Sequence, residues 1–169
     1  MNRKINVRAL ALTGLMAAFA AIVSVVSIPT PFGFPITFQV LAVAICGFLL
    51  GSKRGTIAVG IFLLLGAIGL PVFSLFRGGF GHFFSPAGGF LWSFPILAWL
   101  CGKGQRNILW GYLGLILNYL AGGLQLALAT NISAALLLLP CLAKDGLLIF
   151  FAAYLAKRVA RFVDIEKSM

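Results

Sequence analysis

Acidic side chains are scarce in this chain. Its 169 residues hold three, Asp145, Asp164 and Glu166, against 13 basic residues and one histidine, His82. Charged residues make up 9% of the sequence, where a soluble domain carries about a quarter. A water-soluble domain is therefore excluded. One histidine and one carboxylate outside the tail form no nucleophile–base pair, which disfavours an intramembrane enzyme. Cysteine is also sparse. Cys46, Cys101 and Cys141 lie singly in apolar runs without metal-ligand spacing, and they read as small core residues. No metal site or bound cofactor is implied. No Gly-rich loop ending in Lys-Ser/Thr is present, so nothing in the chain cradles a nucleotide phosphate.

What fills the chain instead is apolar. Hydrophobic residues make up 62% of it. The composition describes one integral membrane domain, residues 1–169, of the all-α class. Six spans are drawn at about 9–28, 36–51, 55–76, 88–102, 108–130 and 136–156. The first follows Arg3, Lys4 and Arg8 and resembles a signal peptide, but it is too long for a usual signal core. The second and fourth are short for a bilayer, as expected of helices that stop at a cavity or a re-entrant loop.

The net charge of +10 does not point to nucleic acid, because the basic residues form no patch. They sit at span ends. With the N-terminus inside, all 13 except Arg77 and Lys144 fall on the inner side. The positive-inside rule then places both termini in the cytoplasm of a multi-pass protein of a prokaryotic inner membrane. The inner turns are short and basic. The outer loops are Pro- and Gly-rich and aromatic, PTPFGFP at 29–35 and RGGFGHFFSPA at 77–87. Such loops fold over a cavity or seat aromatics at the headgroup level.

Lys144 and Asp145 interrupt the last span. A charge near the bilayer centre costs roughly 2.5–3.5 kcal/mol on insertion scales. Asp145 lies roughly 18 Å from Lys157 at about 1.5 Å per residue, in the far half of a core about 30 Å thick. A charge kept there is by default functional. The alternative is a helix that begins at Asp145, with the pair just outside the lipid.

Pro29-Thr-Pro-Phe-Gly-Phe-Pro-Ile-Thr-Phe-Gln39 reads as a proline-rich loop and helix start, and it resembles the one found in the BioY family, the biotin-binding S components of energy-coupling-factor (ECF) transporters. Leu49-Leu-Gly-Ser-Lys-Arg-Gly55 resembles its turn between the second and third helices, and Leu63-Leu-Leu-Gly-Ala-Ile-Gly-Leu-Pro-Val-Phe73 its third-helix signature. Ser85-Pro-Ala-Gly-Gly-Phe90 resembles its Gly-Pro-Thr-Gly-Gly-Tyr run, and Pro140 with Asp145 its Pro…Gly-Asp-x-x-Lys motif. The resemblance spans about residues 8–156. It implies a six-helix S-component bundle that captures biotin at its outer face. It also implies docking on a transmembrane T component driven by two ATPase subunits. The sequence departs from the family where Ala87 replaces Thr, Phe90 replaces Tyr, and Leu148 replaces Lys. Capture of a different small vitamin-like ligand, or a non-catalytic anchor, are the alternatives these departures raise.

Biotin would need an acceptor for its ureido N–H groups, and a carboxylate is the strongest. Asp145 is the carboxylate available. Apolar walls are available from Phe34, Phe73, Phe90 and Trp92, although Trp92 also suits a lipid-facing belt. Arg77 and Lys144 are the outer cations for the valerate carboxylate. Arg77 alternatively anchors its helix at the headgroups. Lys144 lies one turn before Leu148 and either replaces the family's Lys or snorkels outward. Gln39 and Gln125 either bond between helices or meet the ureido carbonyl. Asn118 reads as structural and His82 as a surface residue. On the first helix Gly14, Ala17, Ala18 and Ala21 have small-xxx-small spacing, which serves ordinary packing or contact with the T component.

The division of basic residues makes a topological prediction. Single cysteines at Ser52 and Ser85, in a cysteine-free background, are expected to label from opposite sides of the membrane. Labelling of both from one side would reverse the assignment.

Overall fold

The structure, a computed structural model, describes residues 7–29, 35–103, 107–131, 133 and 138–160. Helix α1 runs Val7–Val25. Strands β1 (Ser27–Ile28) and β2 (Ile36–Thr37) pair antiparallel, Ser27 with Thr37 and Ile28 with Ile36. Helix α2 runs Gln39–Ala67, α3 Gly88–Gly102, α4 Ile108–Ala129 and α5 Leu139–Ala160. Two 3-10 turns, Ser74–Phe76 and Phe80–Phe84, lie between α2 and α3. Helices α1, α4 and α5 are each long and apolar enough to cross a membrane, α2 reaches that length only over its two limbs taken together, and α3 is shorter.

The first two expected spans are trimmed where they meet. Helix α1 stops at Val25 because Ile28 precedes Pro29, and a residue before proline favours extended backbone. The chain uses that extended segment to pair β1 with β2, so α2 begins at Gln39 and not at Ile36.

Helix α2 is two limbs. Gly51 adopts φ 78°, a left-handed conformation that glycine takes without a Cβ clash. The chain reverses there. A Cβ on Gly55 would lie 2.7 Å from the Cys46 carbonyl oxygen and 2.8 Å from the Gly47 Cα. In a straight helix eight residues span about 12 Å, so the limbs are folded against each other. The end of α3 packs on the same reversal, with Gly102 against the Gly51–Ser52 backbone.

The second limb ends well short of Phe76. Gly69 at φ 106° donates to Gly66 O, and Leu70 N donates to Leu65 O. Together these form a Schellman motif, and Pro71 then blocks any continuation. The loop returns over the helix end, where Gly79 N donates to Gly66 O at 2.7 Å. The absent side chain of Gly66 leaves room for the wholly buried Phe73 ring.

Helix α5 begins at Leu139, so Asp145 lies within the helix and the alternative of a helix starting at Asp145 is excluded. Helices α2 and α3 form the core, filled by Phe48, Phe62, Phe94 and Leu97, with Ile149 of α5 against them. Cys46 and Cys101 are core residues as expected, whereas Cys141 is only partly buried. Asn118 is buried and structural. Its Nδ2 donates to Ser93 Oγ at 2.8 Å and to Phe90 O at 3.2 Å, tying α4 to α3. The outward faces carry Leu10, Leu15, Ile22, Leu64, Leu120 and Phe150, a surface suited to lipid.

Gly66 and Gly60 differ in what a methyl group would meet. Gly66→Ala drives Cβ into the Phe73 ring, and overpacking of this kind costs about 1–3 kcal/mol. Nothing lies within 4 Å of a Cβ at Gly60, where Ala should be neutral or stabilising. Thermal unfolding in detergent is expected to show a lower Tm for Gly66→Ala than for Gly60→Ala. Equal values would refute this account of the helix end.

Candidate functional site

Strand β2, the loop before α3, the starts of α2 and α3, the middle of α4 and the N-terminal half of α5 meet around a cavity of about 60 Å³. Asp145 is at its wall, 5% exposed. Tyr119 of α4 donates its hydroxyl to Asp145 Oδ2 at 2.6 Å. Lys144 Nζ lies 2.5 Å from Oδ1, an ion pair off hydrogen-bond alignment, so this buried oxygen keeps an unused acceptor direction. The same ammonium donates to the Thr37 carbonyl at 2.6 Å and sits 5.9 Å from the Phe38 ring centre. Lys144 is thus folded over Asp145 and against β2, rather than extended outward as a snorkelling lysine. Burial of a charge is tolerated where it is paired and hydrogen-bonded, and this arrangement meets that requirement.

Gln39 opens α2 directly below the strand. It is 6% exposed and lines the cavity, and its Nε2 is buried without a hydrogen-bond partner among the described residues. Burying an amide N–H unmatched costs about 1–3 kcal/mol, which marks this atom as a donor that awaits an acceptor. Phe90 and Phe94 of α3 supply apolar wall. The Phe90 ring meets Tyr119 edge-on at 5.4 Å, fixing the phenol that holds Asp145. Ala87 also lines the cavity, so two of the positions that depart from the family run face it.

Several residues at the cavity escaped the sequence reading, Phe94 of its wall and, among the polar ones, Tyr119 and His82. Tyr119 carries no local signal, since a lone tyrosine in an apolar helix is usually packing. His82 read as a surface residue. It is instead half-buried, lines the cavity and stacks on Phe73 at 5.5 Å and 20°. Burial, and secondarily the positive charge of Arg77, lower its pKa below the ordinary 6.5.

The remaining sequence candidates lie elsewhere. Gln125 Nε2 donates to Phe83 O at 3.0 Å and Ser85 O at 2.7 Å, bracing the loop from behind. Phe73 is fully buried beneath His82, edge-on to Phe62 and Phe83. Trp92 is 52% exposed and packs on Phe83 from outside. Arg77 is exposed on the loop and does not line the cavity. Phe34 lies outside the described residues. On α1 the small residues split. Gly14 and Ala18 face outward, Ala17 is 2% exposed in the core, and Ala21 packs inward.

The cavity is roofed under strain. Leu75 and Phe76 both have positive φ, 59° and 56°, which costs non-glycine residues about 1–3 kcal/mol each. The Phe73–Arg77 bridge closes this turn, and Leu75 N donates to Ser27 Oγ at 2.8 Å, tying it to β1.

The fold has a solved counterpart. It superposes with TM-score 0.75 and 29% identity on the crystal structure at 2.1 Å of the S-component for biotin from an ECF-type ABC transporter, covering 93% of this chain and 95% of that one. The chain is 36% identical over 151 residues to a probable biotin transporter BioY of Pyrococcus horikoshii, covering 86% of this chain and 93% of that protein. It is 45% identical over 108 residues to the biotin transporter BioY of Rhizobium etli, 60% of this chain and 58% of that one. The BioY family model matches residues 1–165. With nearly its whole length matched, the chain belongs to the BioY family.

Proposed function

We propose that this protein is the substrate-capture subunit of a vitamin importer, binding biotin at its outer face and delivering it through an ATP-driven ECF complex. Membership of a family of transporter components, with relatives named for biotin, supports the reading. Transport and not catalysis is the role it assigns. The observation that carries it is Asp145, a carboxylate buried inside a membrane helix at a cavity wall, with Tyr119 and Lys144 holding it in place.

Asp145 would accept the ureido N–H groups through the unused direction of Oδ1, and Gln39 Nε2 would donate to the ureido carbonyl. Phe90, Phe94 and Tyr119 would wall the fused rings. Lys144 would keep Asp145 ionised and so strengthen its acceptor. The two limbs of α2 count as separate spans in this reading. With α1, α3, α4 and α5 they make six, both termini lying on the basic, cytoplasmic side of the inner membrane. Gly14 and Ala18, one turn apart on the outward face of α1, would contact a T component that carries two ATPase subunits. One observation favours a second reading, capture of a different small vitamin-like ligand: Ala87 and Phe90 face the cavity without the family's hydroxyls.

Asp145→Asn keeps size and removes charge. It should weaken biotin binding by about 1.5–3 kcal/mol, the range for hydrogen bonds to charged groups. Titration calorimetry on detergent-purified protein measures this, and ligand-dependent rise in Tm checks it independently. An Asp145→Asn protein that folds and binds biotin as tightly as the parent would remove Asp145 from the site. A parent that ignores biotin but is stabilised by another vitamin would favour the second reading.

The docking assignment separates binding from uptake. Ala18→Leu, on the open face, should reduce biotin uptake by cells while purified protein binds biotin normally. Ala17→Leu should instead lower Tm, because Ala17 is in the core. Unchanged uptake by the Ala18→Leu protein would place the contact elsewhere.

A further inference from the structure

The charges at the cavity do not balance for an anionic ligand. Lys144 and Asp145 neutralise each other, and Lys144 is also engaged by the Thr37 carbonyl. Arg77 is exposed outside the cavity. A ligand that places its cyclic urea against Asp145 and carries a carboxylate at its other end brings one uncompensated negative charge to the cavity. Among the described lining residues, the titratable groups left are His82, Tyr119 and Cys141. Tyr119 already donates to Asp145, and a thiol offers no positive charge. His82 alone can become a cation there.

Its setting suits that role. His82 lines the cavity from the loop, and its imidazole stacks on the fully buried Phe73 ring. Its backbone carbonyl accepts from Ser85 N and Oγ, which fixes the residue in its turn. Among the described residues no hydrogen bond is made by its ring nitrogens, so both are open to a ligand. The groups that surround it are Lys144, Asp145 and Cys141 on α5, Tyr119 on α4 and Arg77 on its own loop. Helices α2 and α3 present uncharged Gln39, Phe90 and Phe94.

We propose that His82 receives the carboxylate of the captured ligand and takes up one proton from solvent as it does so, so that capture of a monocarboxylate is proton-linked. This rests on the reading of the site as a biotin-capture cavity. Linkage sets the sign. Burial and Arg77 keep His82 neutral in the empty protein near pH 7, and an adjacent carboxylate raises its pKa in the complex. Affinity therefore rises as pH falls through the pKa of the complex and levels off below that of the empty protein. With one proton taken up, the slope is at most about tenfold per pH unit.

The test is calorimetric titration of the full-length detergent-purified protein with biotin between about pH 5.5 and 8.5, where the carboxylate of free biotin remains ionised. Paired buffers of different ionisation enthalpy count the protons. Expected are a dissociation constant that tightens as pH falls and proton uptake approaching one. Biotin methyl ester, with no carboxylate, should bind without uptake and without pH dependence. His82→Gln should bind biotin more weakly at low pH and lose both signatures, and Arg77→Gln should keep them. Biotin binding that is independent of pH, or the same uptake with the ester, would overturn the proposal even if no His82 variant folds. A pH dependence that survives His82→Gln would overturn it too. Absence of biotin binding at every pH would sink the capture reading itself, and this inference with it.

Discussion

The buried carboxylate of Asp145 is the constraint on which the cavity end of the bundle depends. A carboxylate inside a membrane helix is tolerated where other groups replace its water. Tyr119 from the neighbouring helix and Lys144 from the preceding position supply that replacement. Each draws in another element. Tyr119 is held by the Phe90 ring, which ties α3 to α4 at the cavity. Lys144 reaches the Thr37 carbonyl, which ties α5 to the β-hairpin. One charge thereby organises segments that share no local sequence.

Glycine and proline provide the room. Gly51 reverses the chain, and Gly55, Gly47 and Gly102 let three helical segments approach to backbone contact at the end of the bundle away from the cavity. At the cavity end, the Gly69 motif and Pro71 end a helix early and release a loop that reaches the cavity. That loop is not slack. The Leu75–Phe76 strain, the Ser27–Leu75 bond and the Gln125 brace set it in place, and it carries Ser74 and His82 to the lining. Strained backbone held by its surroundings is characteristic of sites that bind ligands.

The departures from the family motifs acquire a location. Ala87 and Phe90 line the cavity, while Leu148 does not. Lys144, one turn earlier, is the residue whose ammonium reaches Asp145. A long flexible side chain can deliver a point charge from a different helical position, which a planar or short group could not. The hydroxyl-bearing residues that line the cavity are instead Thr37, Ser74 and Tyr119.

Sequence alone determined the features that solvent and chain stiffness impose. A paucity of charge dictates a membrane helix bundle, and Gly and Pro mark where helices break, to within a few residues at Gly51 and Gly88. It also singled out Asp145, because a lone acid in an apolar run stands out by cost. It overran the helix before Gly69, since hydropathy continues through Phe73 and Phe76 while the backbone has already turned. The tertiary structure decided which side chains converge. Gln39 and Gln125 are alike in the sequence, yet one faces the cavity unpartnered and the other braces a loop. Tyr119 and His82 are ordinary in their own segments. Their importance arises from what lies opposite them, and a contact between positions far apart in the chain leaves no periodicity or spacing within a single sequence.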